Sequence, residues 1–213
     1  MTKAVLFDYF RSSASYRVRI ALNLKGIEWE SVPIDLRTGA QSAPPYRARN
    51  PQGLVPLLEI DALTIGQSLA IIDYLEATRP SPALLPTAPA DRAHVLGLAL
   101  VVACDMHPLN NLRVLKYLAR PLGVSETERN AWYHHWLREG FTALEAMAAP
   151  RAGRFLFGDS PSLADVFLVP QMANARRLEF PLGDYPVLVA ADAEAGKLDA
   201  FSAAHPDHFE NTG

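Results

Sequence analysis

Ala4-Val-Leu-Phe7 is an almost unbroken apolar run of strand length, and a few residues later two serines open a helical pattern. So short a passage from strand to helix leaves no room for a wandering loop, and it fixes the unit around which the chain must fold. The run suits a strand covered on both faces. Ala14, Val18, Ala21 and Leu22 then recur at helical spacing. Ser12 or Ser13 supplies the N-cap oxygen, and Gly26 after Lys25 suits the C-terminal cap. The free N–H groups of such a helix start, with the aligned peptide dipoles, favour an anion beside the serines. Arg11, Arg17 and Arg19 crowd the first half of this helix, where a cation opposes the dipole, so helix stability alone does not account for them. The plain alternative is solvated arginines and serines that are only caps.

Ile27 to Ile34 alternates well enough for a second strand, with Pro33 marking an edge or an end. Strand, helix, strand implies a right-handed crossover and parallel pairing. Asp35 to Asn50 reads as a long loop holding a short helix. In Asn50-Pro-Gln-Gly-Leu-Val-Pro-Leu-Leu-Glu-Ile60 a proline stands directly before an apolar strand, an awkward place for a missing N–H unless the backbone is turned for another purpose. Asp61-Ala62 forms a tight turn into Leu63-Thr-Ile65, giving an antiparallel hairpin. Gly66-Gln67-Ser68 opens a further helix with Ser68 as its natural N-cap. This is a second anion-favouring terminus, and two such termini on one small sheet can grip a polyanionic ligand at two points; for Ser68, too, a plain cap is the alternative.

From Thr78 to Pro89 the chain turns to prolines among small residues, which marks a semi-rigid linker and places a domain boundary near Leu85. Everything beyond reads helical. A long helix from Asp91 to about Ala119 is broken by Pro108 within the polar cluster His107-Pro-Leu-Asn-Asn-Leu-Arg113. The next helix, Ser125 to Ala148, is expected to bury Trp132, Trp136, Phe141 and Leu144, with His134 and His135 facing solvent or satisfied locally in the core. Pro161-Ser-Leu-Ala-Asp-Val166 is a capping box, Ser162 against Asp165, with Pro161 and Val166 placed as a staple. Its helix runs through Pro170 to Arg177, and a last helix is expected over Val187 to Ala204.

The formal charge of −3, without a basic run or interleaved aromatic and basic residues, gives no electrostatic case for nucleic acid. No apolar stretch reaches the length of about 18 residues that a membrane helix needs, and Met1-Thr-Lys-Ala lacks the apolar core of a signal peptide. The expectation is a cytoplasmic protein. A single cysteine, Cys104, excludes an internal disulfide and a multi-cysteine metal site; within Leu98-Ala-Leu-Val-Val-Ala-Cys104 it is expected to be a buried, inert thiol. Thiol chemistry, if any, then needs a sulfur brought by a ligand. The six histidines lack the paired spacing of a zinc helix, and no metal site is expected.

This order of elements resembles the glutathione transferase fold. The motif Arg11-Ser-Ser-Ala-Ser-Tyr-Arg-Val-Arg-Ile-Ala-Leu22 resembles the signature of the zeta class, the maleylacetoacetate and maleylpyruvate isomerases. Asn50-Pro-Gln-Gly-Leu-Val-Pro56, Gln67-Ser-Leu-Ala-Ile-Ile72, Asp105-Met-His-Pro-Leu-Asn-Asn111 and Leu168-Val-Pro-Gln-Met-Ala-Asn-Ala-Arg-Arg177 are similar to further motifs of that family, in the same order. The resemblance implies an α/β plus all-α chain: a thioredoxin-like N-terminal domain over residues 1–84, then an all-helical domain over 85–213 contributing the substrate pocket. It implies glutathione as cofactor and a homodimer. Glutathione would be held by Ser12, Ser13, Ala14, Gln52, Val55, a cis Pro56, Gln67 and Ser68, with His107 and Asn111 from the helical domain. Ser12 is expected closest to the sulfur, assisted by Ser13. Arg11 and Arg177 would take the acid groups of the substrate, with Arg113 and Arg176 as further candidates. For His107 and Asn111 the competing role is to patch the backbone groups that Pro108 frees.

The reaction implied is cis-to-trans isomerisation about a carbon–carbon double bond conjugated to a carbonyl. Thiolate addition makes that bond single, rotation follows, and expulsion of the thiolate regenerates the cofactor. The family signature often carries a cysteine where this chain has Ala14, so no protein cysteine is essential there and the cofactor sulfur is the nucleophile. The expected substrate is maleylacetoacetate from tyrosine and phenylalanine breakdown; the alternatives are maleylpyruvate, a transferase that consumes glutathione on electrophiles, or a non-catalytic binding module on the same fold.

Overall fold

Residues 3–210 are described in a computed structural model; Met1 and Thr2, part of the signal-peptide reading, lie outside them. Contacts divide the chain into two compact units, Met1–Ala83 with Lys197–Gly213, and Leu84–Gly196.

In the first unit β1 (Ala4–Asp8) leads into α1 (Ser13–Leu24) and then β2 (Trp29–Pro33), which pairs parallel to β1. α2 (Pro44–Arg49) follows, then the hairpin β3 (Leu57–Ile60) and β4 (Leu63–Gly66), and α3 (Ser68–Thr78). The sheet order is β2-β1-β3-β4, so Pro33 does sit on an edge strand, where its missing N–H leaves no central ladder bond unmade. Both faces of β1 are covered. Leu6 is fully buried, while Phe7 packs on Tyr46 of α2 and Leu57 on the other face. α1 and α3 pack together and contribute Val18, Leu22, Ile71 and Leu75 to the core. α1 closes on Gly26, whose φ of +63° lets its N–H reach Asn23 O and the Ile27 N–H reach Leu22 O. Asp61 and Ala62 both take positive φ in the hairpin turn.

Three expectations change here. The N-cap of α3 is Gln67, and Ser68 is the first helical residue. Arg19 is no anion-attracting group at the helix start. It is fully buried, paired with Asp8 at 2.7 Å, and donates to Ala204 O at 2.9 Å and Phe10 O at 3.1 Å. Finally, the single helix expected over Val187 to Ala204 is two helices, α8 (Pro186–Ala195) and α9 (Asp199–Ser202), separated at Gly196-Lys-Leu198. The residues after that break belong to the first unit, although sequence reading drew one boundary and left all of 85–213 with the helical domain. Asn23 donates to Ala200 O, and Trp29 stacks on Phe209 at 5.7 Å.

The second unit holds α4 (Pro89–Leu100), α5 (Leu112–Ala119), α6 (Glu126–Ala148), α7 (Leu163–Arg177) and α8. The long helix expected through Ala119 ends at Leu100 and widens into a π-helical segment, Val101–Met106. There the His107 N–H bonds Val102 O, five residues back. Pro108 cannot donate, so the ladder stops and restarts at α5. Cys104 lies on this segment and is exposed, not buried, because Val102 and Met106 are the residues that face inward. An apolar run alone could not say which face that would be.

α6 starts with a capping box, Ser125 against Glu128. Its buried stripe is Tyr133, Leu137, Gly140, Phe141, Leu144 and Ala148; Trp132 and Trp136 are only half-buried, one position off that stripe. His135 is exposed, and His134 Nε2 bonds Leu178 O at 2.9 Å. Gly140 is needed for close approach, since a Cβ there would fall 2.2 Å from Met106 Cγ. At the start of α7 the buried Asp165 carboxylate accepts from Ser162 N, Ser162 Oγ and Leu156 N, as the capping box requires, and burial raises its pKa.

α8 has no cap of its own. Glu145 of α6 accepts from Val187 N at 2.8 Å and Leu188 N at 3.0 Å. Replacing Glu145 by Ala leaves both N–H groups without that acceptor, so we expect a loss of about 2 kcal/mol and a melting temperature lower by about 4–8 °C. Glu145→Gln, which keeps one acceptor oxygen, should lose about half as much; equal melting of Glu145→Ala and wild type would refute the cap.

Candidate functional site

At the start of α1, Ser12 takes extended backbone angles and its Oγ accepts the Ser15 N–H at 3.2 Å. Ser12, not Ser13, is therefore the cap, and its own O–H remains to be donated elsewhere. Ser13 is buried and Ala14 half-buried. Arg11 is exposed and pairs with Glu210 at 3.2 Å, both side chains about half accessible, a contact of small energetic worth.

The proline-led strand is held by donors the sequence reading did not single out. Tyr46 Oη and Asn50 Nδ2 both donate to Leu54 O, at 2.6 and 2.7 Å, and Asn50 Oδ1 takes the Gln52 N–H at 3.1 Å. Burial raises the Tyr46 pKa, keeping it a donor. The signal was present, since Asn50 opens the proline motif, but Tyr46 lies in a stretch read as a long loop holding a short helix, with no role given to it. The next residue, Val55, precedes a cis Pro56. Among the described residues neither backbone group of Val55 enters the ladder or the loop network.

Gln67 stands at the mouth of α3 with φ +67° and ψ +116°, a conformation a side-chain-bearing residue seldom holds without cause. Its Nε2 donates to Gln52 Oε1 at 2.7 Å, which joins two of the residues expected on the site. Among the described residues no side chain caps α3, so the N–H groups of its first turn have no side-chain cap. Behind them Arg17 Nη1 donates to Ser68 Oγ at 3.4 Å, and both residues are buried. Thus two hydrogen-bonded pairs, Gln52 with Gln67 and Arg17 with Ser68, meet at the Gln67–Ser68 peptide.

In the second unit, Asn111 is the N-cap of α5, its Oδ1 taking the Arg113 N–H at 3.1 Å. This caps the restarted helix and is not a contact to the carbonyl that Pro108 frees; His107 is half-buried where the π-helical segment ends. The turn between them is pinned to α6 by Trp132 Nε1 on Leu109 O and Asn110 Nδ2 on Tyr133 O. Arg176 is committed to Asp192 of α8 at 2.5 Å, whereas Arg177 is exposed, donates to Asn174 Oδ1 over a long 3.4 Å and acts by its charge on Tyr133. Arg113 is exposed. Among the described residues no group of His, Cys, Asp and Glu could hold a metal ion, and no helix is long and apolar enough to cross a membrane.

Residues 6–83 match the family described as glutathione S-transferase, N-terminal domain, and residues 130–205 match its C-terminal domain, so both halves of that architecture are present. The maleylacetoacetate isomerase of Rhizobium meliloti is 50% identical, with 96% of this chain and 97% of that protein covered. A maleylpyruvate isomerase of a Ralstonia species is 46% identical over 94% and 96%. Among solved structures, a bacterial zeta-class maleylpyruvate isomerase superposes with a TM-score of 0.95 at 45% identity, covering 97% and 99%. The maleylacetoacetate isomerase of Anaeromyxobacter dehalogenans, solved with bound glutathione, gives 0.89 at 39% identity, covering 99% and 98%. This chain belongs to the zeta class of glutathione transferases, the family of the maleylacetoacetate and maleylpyruvate isomerases.

Proposed function

We propose that the protein is a glutathione-dependent cis-trans isomerase of maleylacetoacetate, working as a cytoplasmic homodimer in tyrosine and phenylalanine breakdown. The observation that carries the cofactor assignment is the donor set of the first unit. The uncapped N-terminus of α3 with the Ser68 hydroxyl suits a carboxylate, and the disengaged backbone of Val55 suits a peptide added like a strand. These groups fit the γ-glutamyl and cysteinyl parts of glutathione. Gln52 and Gln67, joined to each other, border the same subsite; His107 and Asn111 are the contribution we assign to the helical unit.

When bound, glutathione supplies a thiol nucleophile that turnover regenerates. Ser12 donates its O–H to the sulfur, while Ser13 and the N–H groups near Ala14 add positive potential from the start of α1. Lowering a thiol pKa from about 8.5 by two corresponds to about 2.7 kcal/mol, within reach of one charge-assisted hydrogen bond and a helix terminus. Arg11 and Arg177 clamp the two acid groups of the substrate. What favours Arg177 over Arg176 is that Asp192 already holds Arg176, and Arg11 exchanges a weak surface partner for substrate. Arg113 remains a secondary contact.

Guanidinium meets a carboxylate through two parallel bonds that an ammonium cannot copy. Arg11→Lys and Arg177→Lys are each expected to lower kcat/KM about tenfold, with glutathione affinity and thiol pKa unchanged. Full isomerase efficiency in both variants would remove the clamp.

The deciding experiment measures kcat/KM on maleylacetoacetate and on maleylpyruvate while counting glutathione. Isomerisation without loss of glutathione, faster on maleylacetoacetate, is the expected result. Stoichiometric consumption would make the protein a conjugating transferase. Preference for maleylpyruvate is the second reading, favoured by the Ralstonia relative and by the structural match at 0.95.

A further inference from the structure

We propose that Arg17 is a positioning residue for the anion subsite at the start of α3, acting through the Ser68 hydroxyl. The inference rests on the reading just given of that terminus as the place of the γ-glutamyl carboxylate.

Arg17 belongs to α1 and is 2% exposed, yet its Nη1 reaches across to Ser68 Oγ at 3.4 Å. A serine hydroxyl has a single proton and accepts through its lone pairs. Here a guanidinium occupies the acceptor side, so the proton is directed away from Arg17. Accepting from a cation also polarises the O–H and makes it the stronger donor. Ser68 is free for this because Gln67, with its positive φ, takes the N-cap position; a Ser68 cap would have spent its oxygen on the helix's own N–H groups. The hydroxyl therefore joins the uncapped N–H groups of α3 as one more donor, and all of them ask for an acceptor bearing negative charge. Arg17 need not touch that acceptor. It fixes the direction of the Ser68 donor, which selects a carboxylate over a neutral group at this position. Its planar, charged fork suits this role better than the flexible ammonium of lysine.

The test is a double-mutant cycle with two probes, glutathione and 4-aminobutyryl-cysteinyl-glycine, which lacks only the γ-glutamyl α-carboxylate. Dissociation constants are measured by calorimetry for wild type, Arg17→Met, Arg17→Lys, Ser68→Ala and the two combinations. We expect Arg17→Met to weaken glutathione about tenfold and Arg17→Lys about threefold, with the decarboxylated probe changed less than about twofold. In the Ser68→Ala background either Arg17 substitution should add less than about twofold. Should Arg17→Met not fold, the cycle with Arg17→Lys decides. A merely structural Arg17 would weaken both probes alike, and a direct Arg17 contact would keep its full effect without Ser68; either outcome overturns the inference. If wild type binds glutathione and isomerises while Arg17 discriminates nothing, this inference alone falls. If wild type does not bind glutathione, the proposed function falls with it.

Discussion

Ser12→Asn should leave the protein folded and nearly as stable as wild type while kcat/KM falls about 10- to 100-fold. Two roles meet at this oxygen, as Ser12 Oγ accepts the Ser15 N–H and its O–H is the donor assigned to the sulfur. Asparagine is as good an N-cap as serine, so the helix keeps its acceptor. It has no hydroxyl to place at the sulfur. A charge-assisted bond of about 1.5–3 kcal/mol disappears, and the thiol pKa of bound glutathione, followed by thiolate absorbance, should rise by about one to two. Ser12→Ala removes both roles and should in addition lose about 1 kcal/mol of stability. An unchanged thiol pKa in Ser12→Asn would leave the helix terminus and Ser13 as the activators.

The largest expected loss of stability follows Arg19→Met. Arg19 and Asp8 form a fully buried pair, and the guanidinium also holds Ala204 O and Phe10 O and lies 4.5 Å from the Phe209 ring centroid. Removing the cation strands a buried carboxylate, which costs about 3–5 kcal/mol and lowers the melting temperature by about 6–20 °C. The residues from Lys197 onward should then be cut sooner in limited proteolysis, before the rest of the first unit. Adding Asp8→Asn should restore part of the loss, because the stranded charge is the main cost. If the double variant melts below Arg19→Met alone, the penalty arises elsewhere.

The first unit was legible in the sequence where local chemistry decides: the apolar strand, the glycine that closes α1, the hairpin turn at Asp61-Ala62. Spacing could not separate Arg19 from Arg11, because both stand near one helix start and only the fold tells which meets Asp8. Ser68 looked like a cap since serine favours that position; the positive φ of Gln67 moved the helix start by one residue. In the helical unit nearly every long segment is apolar on more than one face, so periodicity placed Trp132 and Trp136 on the buried stripe that belongs to Tyr133 and Leu137. Cys104 was misplaced for the same reason. Of the expected site residues, Gln52, Gln67 and Ser68 follow from motif resemblance, while the two hydrogen bonds that hold them, Gln67 to Gln52 and Arg17 to Ser68, are not encoded in the motifs.

The first unit is written in two separate passages of the chain. During synthesis its opening residues leave the ribosome long before Ala200 and Ala204, whose carbonyls Asn23 and Arg19 require. Until the closing passage emerges, the Asp8–Arg19 pair lacks its lid and α1 lacks one wall. All four strands precede Ala83, so it is the outer wall of α1, not the sheet, that must wait while the whole helical unit is made.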